Sequence, residues 1–158
     1  SGSLIVRRLR TRMAGDTTQP EWKLDGFFLR LQGAGLLIEA GGNDVHGRAE
    51  GFVILQGCRS PHKSVELKRL VLQTKGRGLG RACVRLLKQM AFRDLKAHRF
   101  WLDVKSLNTR ALALYASEGF VEEGRLRESV RVGDGYDSLI VMSMLHREYD
   151  ARVKLGAE

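Results

Sequence analysis

The stretch Leu67-Lys-Arg-Leu-Val-Leu-Gln-Thr-Lys75-Gly-Arg-Gly-Leu-Gly80-Arg-Ala-Cys-Val-Arg-Leu-Leu-Lys-Gln-Met90 decides how the chain is read. Leu67 to Leu72 is a short run with a β-branched residue and no Gly or Pro, which predicts a buried strand. Lys75 to Gly80 is a tight basic turn with three glycines. Beyond it Leu79, Ala82, Cys83, Leu86, Leu87, Met90 and Ala91 recur at helical spacing, which predicts a helix of about four turns. Strand, glycine turn and helix together aim unpaired first-turn N–H groups, and the positive end of the helix dipole, at an anion. Glycine lets that anion approach the backbone without a Cβ in the way. Lys75, Arg77 and Arg81 add full charges. The stretch reads as a diphosphate site. The Walker spacing G-x-x-x-x-G-K-S/T is absent, and so is the dinucleotide spacing G-x-G-x-x-G; here the glycines fall as G-x-G-x-G.

Working outward, 158 residues suit one domain with a full core. The chain is 43% hydrophobic and 28% charged, a soluble globular composition. No apolar run approaches the roughly 20 residues of a membrane helix, and no signal-peptide pattern is visible. Ser1-Gly2-Ser3 reads as a cloning scar, residues 4–150 as a single domain and residues 151–158 as a charged tail, with fraying expected from His146 onward. Two cysteines, Cys58 and Cys83, the latter on the apolar helix face, predict free thiols and a cytoplasmic, reducing location. His46, His62, His98 and His146 show no metal-ligand spacing, so no metal is expected.

The net charge of +9 is concentrated. From Arg59 to Phe100 twelve Lys and Arg face only Glu66 and Asp94. The partner of that region is therefore anionic. For Arg85, Lys88 and Arg93 a solvated helix face is the simpler reading.

In chain order, Leu4 to Leu9 reads as a first strand. Thr18-Gln-Pro-Glu21 reads as a capping box, and Trp22, Leu24, Phe27, Phe28 and Leu31 follow on a rough helical period. Leu36 to Glu39 and Ala49 to Leu55 are the second and third strands, and Ser64 to Leu72 the fourth. After the long helix, Arg99 to Lys105 is a fifth strand. Asn108 to Ser117 is a short helix with Asn108 as N-cap and Gly119 as C′ residue. Phe120 to Val132 and Ser138 to Leu145 pair around the Gly133-Asp-Gly135 turn. The expected class is α/β, mixed α+β in character: one sheet of about seven mostly antiparallel strands with helices on both faces.

Two segments carry a resemblance. Lys75 to Gly80 is similar to the pyrophosphate loop of the GNAT (GCN5-related) acetyltransferases, which runs Arg or Gln, any two residues, Gly, any residue, then Gly or Ala; Lys stands here in the first place. Some thirty residues on, Asn108 to Phe120 matches each fixed letter of that family's N-x-x-A-x-x-L-Y-x-x-x-G-F frame. Val121 to Glu128, with Asp134-Gly and Leu139 to Met144, resembles the branch holding the ribosomal-protein and spermidine N-acetyltransferases. The likeness covers roughly residues 49 to 145 and is weak before Leu36.

The resemblance implies a GNAT fold, acetyl-CoA as co-substrate and an amine acceptor, either a small molecule or a protein N-terminus. It places pantetheine along Leu70, Val71 and Leu72, and the diphosphate on Lys75, Gly76, Arg77, Gly78, Leu79, Gly80 and Arg81. It sets Asn108, Ala111 and Tyr115 beside the pantetheine arm and the sulfur. It also admits a homodimer.

Acetyl transfer needs a neutral amine, a donor for the developing oxyanion and a proton for the leaving thiolate. Tyr115 is the candidate acid, against a packing role beside Ala111 and Leu112. Glu66 and Asp103 are candidate bases, against ion pairs with Lys68, Arg69 or Lys105; a water chain without a dedicated base is the third option. Two other functions remain open: a non-catalytic acyl-CoA sensor on the same fold, and a basic nucleic-acid-binding module. No aromatic pair is interleaved with the basic block and no known nucleic-acid motif is present, which speaks against the latter.

Overall fold

The computed structural model describes residues 21–24, 27–32, 35–40, 49–73, 75, 76 and 78–158. Its elements are β1 (Glu21–Leu24), β2 (Phe27–Gln32), β3 (Gly35–Ala40), β4 (Ala49–Gln56), β5 (Ser64–Leu72), α1 (Leu79–Gln89), β6 (Arg99–Lys105), α2 (Thr109–Ser117), β7 (Val121–Val132), β8 (Gly135–Leu145) and α3 (His146–Lys154). The strands form one sheet in the order β1-β2-β3-β4-β5-β6-β8-β7. Every neighbouring pair is antiparallel except β5 and β6. Consecutive strands pair antiparallel from β1 to β5 and in β7–β8, β8 returns antiparallel beside β6, and α1 is the crossover that the parallel β5–β6 pair requires.

Eight strands stand among the described residues where about seven were expected. The extra ones come from the segment read as a first helix. Glu21–Leu24 and Phe27–Gln32 pair from Glu21↔Arg30 to Leu24↔Phe27. The sequence carried the signal: Trp22 and Leu24 alternate with Glu21 and Lys23, and Asp25-Gly26 is a hairpin dipeptide. The strand expected at Leu4–Leu9 and the start of the capping box lie outside the described residues.

One core unites the sheet with the helices. Phe100, Leu102 and Val104 alternate inward along β6, and Ile140, Met142 and Met144 do so on β8. α1 adds Leu79, Cys83, Val84, Leu86 and Leu87, and a π-helical turn at Met90–Asp94 adds Met90, Ala91 and Phe92. Phe92 meets Phe100 edge-on at 6.2 Å, Phe100 meets Phe120 at 5.8 Å, and Phe120 meets Tyr115 at 5.7 Å. A chain of aromatic contacts thus ties α1 and α2 to the same sheet face.

Two expectations about charge are corrected here. The tail from His146 does not fray. It forms α3, with buried Tyr149 stacked on Phe92 at 5.0 Å and the Glu148 carboxylate accepting the Leu145 N–H at 2.8 Å. Lys88 is not on a solvated face. It is 0% exposed and donates to the Glu118 carboxylate at 3.0 Å and to Glu158 at 2.5 Å. A helix-wheel reading counts a lysine as outward by default; two carboxylates from distant segments reverse that.

Candidate active site

Parallel pairing between β5 and β6 consists of three positions, Ser64↔Arg99, Val65↔Phe100 and Glu66↔Trp101. β5 then continues to Leu72 and β6 to Lys105 without a further pair. The strands part, and from Leu67 onward β5 makes no ladder pair with β6 and has no other described strand on that side. A bulge sharpens the divergence: Ile54 pairs with Arg69 and Leu55 with Leu67, so Lys68 has no partner on β4. Such an inserted residue bends the strand and shifts its alternation. Before it Val65 and Leu67 are buried; after it Leu70 and Leu72 pack against the core.

The gap opens into a cleft of about 810 Å3 lined by the end of β5, the glycine turn, the first turn of α1 and one side of α2. Leu70, Val71, Leu72, Lys75, Gly76, Gly78, Leu79, Gly80, Arg81, Asn108, Ala111 and Tyr115 all line it. These are twelve of the thirteen positions expected to hold the co-substrate; the thirteenth, Arg77, lies outside the described residues. Arg110, Ala113, Leu114 and Ser117 also line the cleft. They were not singled out, although helical periodicity around Asn108, Ala111 and Tyr115 places some of them on the same flank.

The diphosphate end is built by backbone. Gly78 caps α1 at φ 72°, a left-handed conformation, and a Cβ there would point into open space. The first intrahelical bond is Ala82 N–H to Gly78 O at 3.1 Å. The N–H groups of Leu79, Gly80 and Arg81 therefore have no intrahelical acceptor, and no acidic residue stands in this turn. At Gly80 the helix start runs close to its neighbours: a Cβ would lie 3.3 Å from Leu114 Cδ2, which would have to give slightly, and 3.6 Å from Leu72 Cδ1. Arg81 is less free than its sequence position suggested. Its guanidinium is hydrogen-bonded to Glu118, so only its remaining donors are available to a ligand.

On the α2 wall of the cleft stands Tyr115. Asn108 caps the helix, its side-chain oxygen accepting the Ala111 N–H at 3.2 Å. Tyr115 is 8% exposed and burial pushes its phenol up to about 12. The hydroxyl is thus protonated throughout the neutral range. Its packing against Phe120 and its place in the cleft hold together.

The candidate bases lie elsewhere. Glu66 shares register with Trp101, and Asp103 is two residues further along β6. Because side chains alternate, Trp101 and Asp103 stand on the face opposite Phe100 and Leu102. Neither carboxylate lines the cleft. Glu66 makes an ion pair with Lys68 at 3.5 Å. Asp103 is half-buried and has no ion pair among the described residues. Acid and base candidates thus belong to opposite faces of the sheet, on either side of the parting strands.

Cys58 and Cys83 are free thiols raised by burial to about 11 and about 12, and so are poor nucleophiles. No described helix is long and apolar enough to cross a membrane.

Comparison with known proteins agrees with the geometry. The model of the acetyltransferase (GNAT) family matches residues 6–120. A spermidine N(1)-acetyltransferase of Vibrio cholerae is 30% identical over 100 residues, covering 63% of this chain and 58% of the relative. The Escherichia coli K12 spermidine N(1)-acetyltransferase is 26% identical over 109 residues, covering 68% and 59%. The chain therefore spans less than two thirds of the length of these two relatives. A solved dodecameric spermidine N-acetyltransferase from Vibrio cholerae superposes with a TM-score of 0.68 at 26% identity, over 78% of this chain and 68% of that one.

Proposed function

The chain belongs to the acetyltransferase (GNAT) family, and on that premise we propose that it transfers acetyl from acetyl-CoA to a primary amine by direct attack in a ternary complex. The cleft between the parting strands is the observation that carries this reading. Its glycine turn and helix start suit a diphosphate, its free β5 edge suits the amides of pantetheine, and Tyr115 stands at its α2 wall.

In this reading the diphosphate accepts from the Leu79, Gly80 and Arg81 N–H groups, with Lys75 adding charge. Pantetheine adds itself as a short strand to the edge that β6 leaves at Glu66. A β5 backbone N–H donates to the thioester oxygen as negative charge develops there. The amine enters from the face that carries Trp101 and Asp103. Glu66 or Asp103 takes its proton, directly or through water, and the nitrogen attacks the carbonyl carbon. The C–S bond breaks, and Tyr115 gives its proton to the departing thiolate.

The acceptor class is a basic amine. Spermidine, the substrate named for both curated relatives, is the first candidate, with ribosomal-protein N-terminal peptides beside it. A homodimer is proposed on the family likeness. The test is titration with acetyl-CoA followed by thiol release against an amine panel. Binding with turnover supports the transferase, binding without turnover on any amine supports a sensor, and no binding refutes both.

A further inference from the structure

Glu118 closes α2, is 0% exposed and has no part in the chemistry above. Its carboxylate gathers Arg81, Arg85 and Lys88, which lie four and three residues apart along one side of α1. Lys88, also 0% exposed, donates to the Glu118 backbone carbonyl at 3.0 Å as well as to the carboxylate. It therefore caps the end of α2 while pairing with its last side chain. The same Lys88 meets Glu158, which is in turn held by Arg152 of α3.

This clamp sits beside the candidate acid. Tyr115 precedes Glu118 by three residues, so one helical turn separates them. The Glu118 N–H donates to Leu114 O at 3.0 Å, and the Phe120 N–H donates to Tyr115 O at 3.0 Å. Tyr115 is the one residue of α2 that is buried. Apolar packing alone gives such a helix a weak hold. Its two ends do more: Asn108 fixes the start, and the Lys88–Glu118 pair fixes the finish.

Burying both charges costs desolvation that an apolar pair would avoid, so stability alone does not explain them. What charge adds is direction: a carboxylate among three cations of α1 sets where α2 stands along that helix. We propose that Glu118, gripped by Lys88, is the positioning residue that holds the Tyr115 hydroxyl in the cleft. The proposal rests on Tyr115 acting as the acid.

The experiment is a double-mutant cycle on kcat, read by thiol release at saturating acetyl-CoA and amine. Glu118→Gln keeps the shape and removes the charge. It should lower kcat about tenfold in the wild-type background and less than about twofold on top of Tyr115→Phe, because a group acting through Tyr115 has nothing left to position. An equal fold-loss in both backgrounds would show that Glu118 acts independently of Tyr115 and would overturn the proposal. Should Glu118→Gln alone fail to fold, Glu118→Gln with Lys88→Met removes both buried charges together, and the same cycle is run on that pair. Wild-type protein that neither binds acetyl-CoA nor releases thiol would refute the transfer reading itself; turnover with multiplicative losses would refute only the role of Glu118.

Discussion

Glu66 and Trp101 form the last pair of the parallel ladder between β5 and β6. Past that pair the strands part, and a cleft opens with the end of β5 on one wall and α2 on another. Everything assigned to the co-substrate lies on one side of this fork, and both candidate bases stand at its root or beyond it on the opposite face. The pair thus divides the site into a coenzyme half and an acceptor half.

The coenzyme half is expected to respond to charge at one glycine. Gly78→Ala and Gly78→Asp both place a Cβ at φ 72°, in space that is open. Asp tolerates the left-handed region better than Ala, so strain alone makes Ala the worse variant. A carboxylate among N–H groups meant for phosphate reverses that order. Calorimetry with acetyl-CoA should show Gly78→Asp losing binding while Gly78→Ala retains it. Lys75→Ala should weaken binding by less than tenfold, since an exposed charge adds roughly 1 kcal/mol or less. Tight binding by Gly78→Asp would remove the diphosphate from this turn.

The acceptor half is expected to separate its carboxylates by pH profile. A base that takes the amine proton sets the acidic limb of kcat/KM. Glu66→Gln should lower that parameter and alter the limb, and Asp103→Asn should do so less. The reverse ranking would assign the base to Asp103. No change in either variant would leave proton removal to water.

How far the sequence reveals these halves depends on what fixes each residue. The cleft lining was legible because glycine spacing, helical period and the Asn108-to-Phe120 frame all act locally. Ser64–Leu72 and Arg99–Lys105 were legible to the residue for the same reason. The β1–β2 hairpin was misread because Trp22, Leu24, Phe27 and Leu31 satisfy a loose helical period as well as a period of two, and Asp25-Gly26 was passed over. Lys88 was misplaced because its partners Glu118 and Glu158 are 30 and 70 residues away in sequence. No local pattern announces such a pairing. The engagement of Arg81 by Glu118 was hidden in the same way.

That buried pair should govern acid stability. Burial opposes ionisation of Glu118, yet hydrogen bonds from Lys88 and Arg85 prevail and hold its carboxyl below the usual 4.5. A folded-state value below the unfolded one means that the unfolded chain binds more protons in that window. The contribution is therefore fully present above about pH 4.5 and is lost as pH falls below it. Thermal melts of wild type should show a drop on acidification that Glu118→Gln shows less of. Lys88→Ala, which leaves Glu118 to Arg81 and Arg85 and Glu158 to Arg152 but takes the donor from the Glu118 carbonyl, should cost roughly 1–3 kcal/mol at neutral pH. An unchanged melting temperature for Lys88→Ala would contradict the pairing.

Tyr115 is expected to separate catalysis from packing. It lies seven residues after Asn108, close to two helical turns, so the cap and the phenol stand on one side of α2. Both line the cleft. Tyr115→Phe keeps the ring, its edge-on contact with Phe120 and its burial, and removes the hydroxyl and with it the proton to be donated. Acetyl-CoA affinity and thermal stability should therefore stay near wild type while kcat falls. General acid catalysis contributes roughly 10²–10⁴-fold, so a loss on the order of a hundredfold is expected where chemistry limits the rate. Burial has already raised the phenol to about 12. A folded-state value this high keeps the proton in place at neutral and mildly alkaline pH, and wild-type kcat should show no alkaline limb from Tyr115 below roughly pH 11. Solvent-isotope and viscosity effects on kcat establish whether chemistry is rate-limiting. If it is, and Tyr115→Phe turns over as fast as wild type, the residue only packs against Phe120, and the leaving thiolate takes its proton from another group.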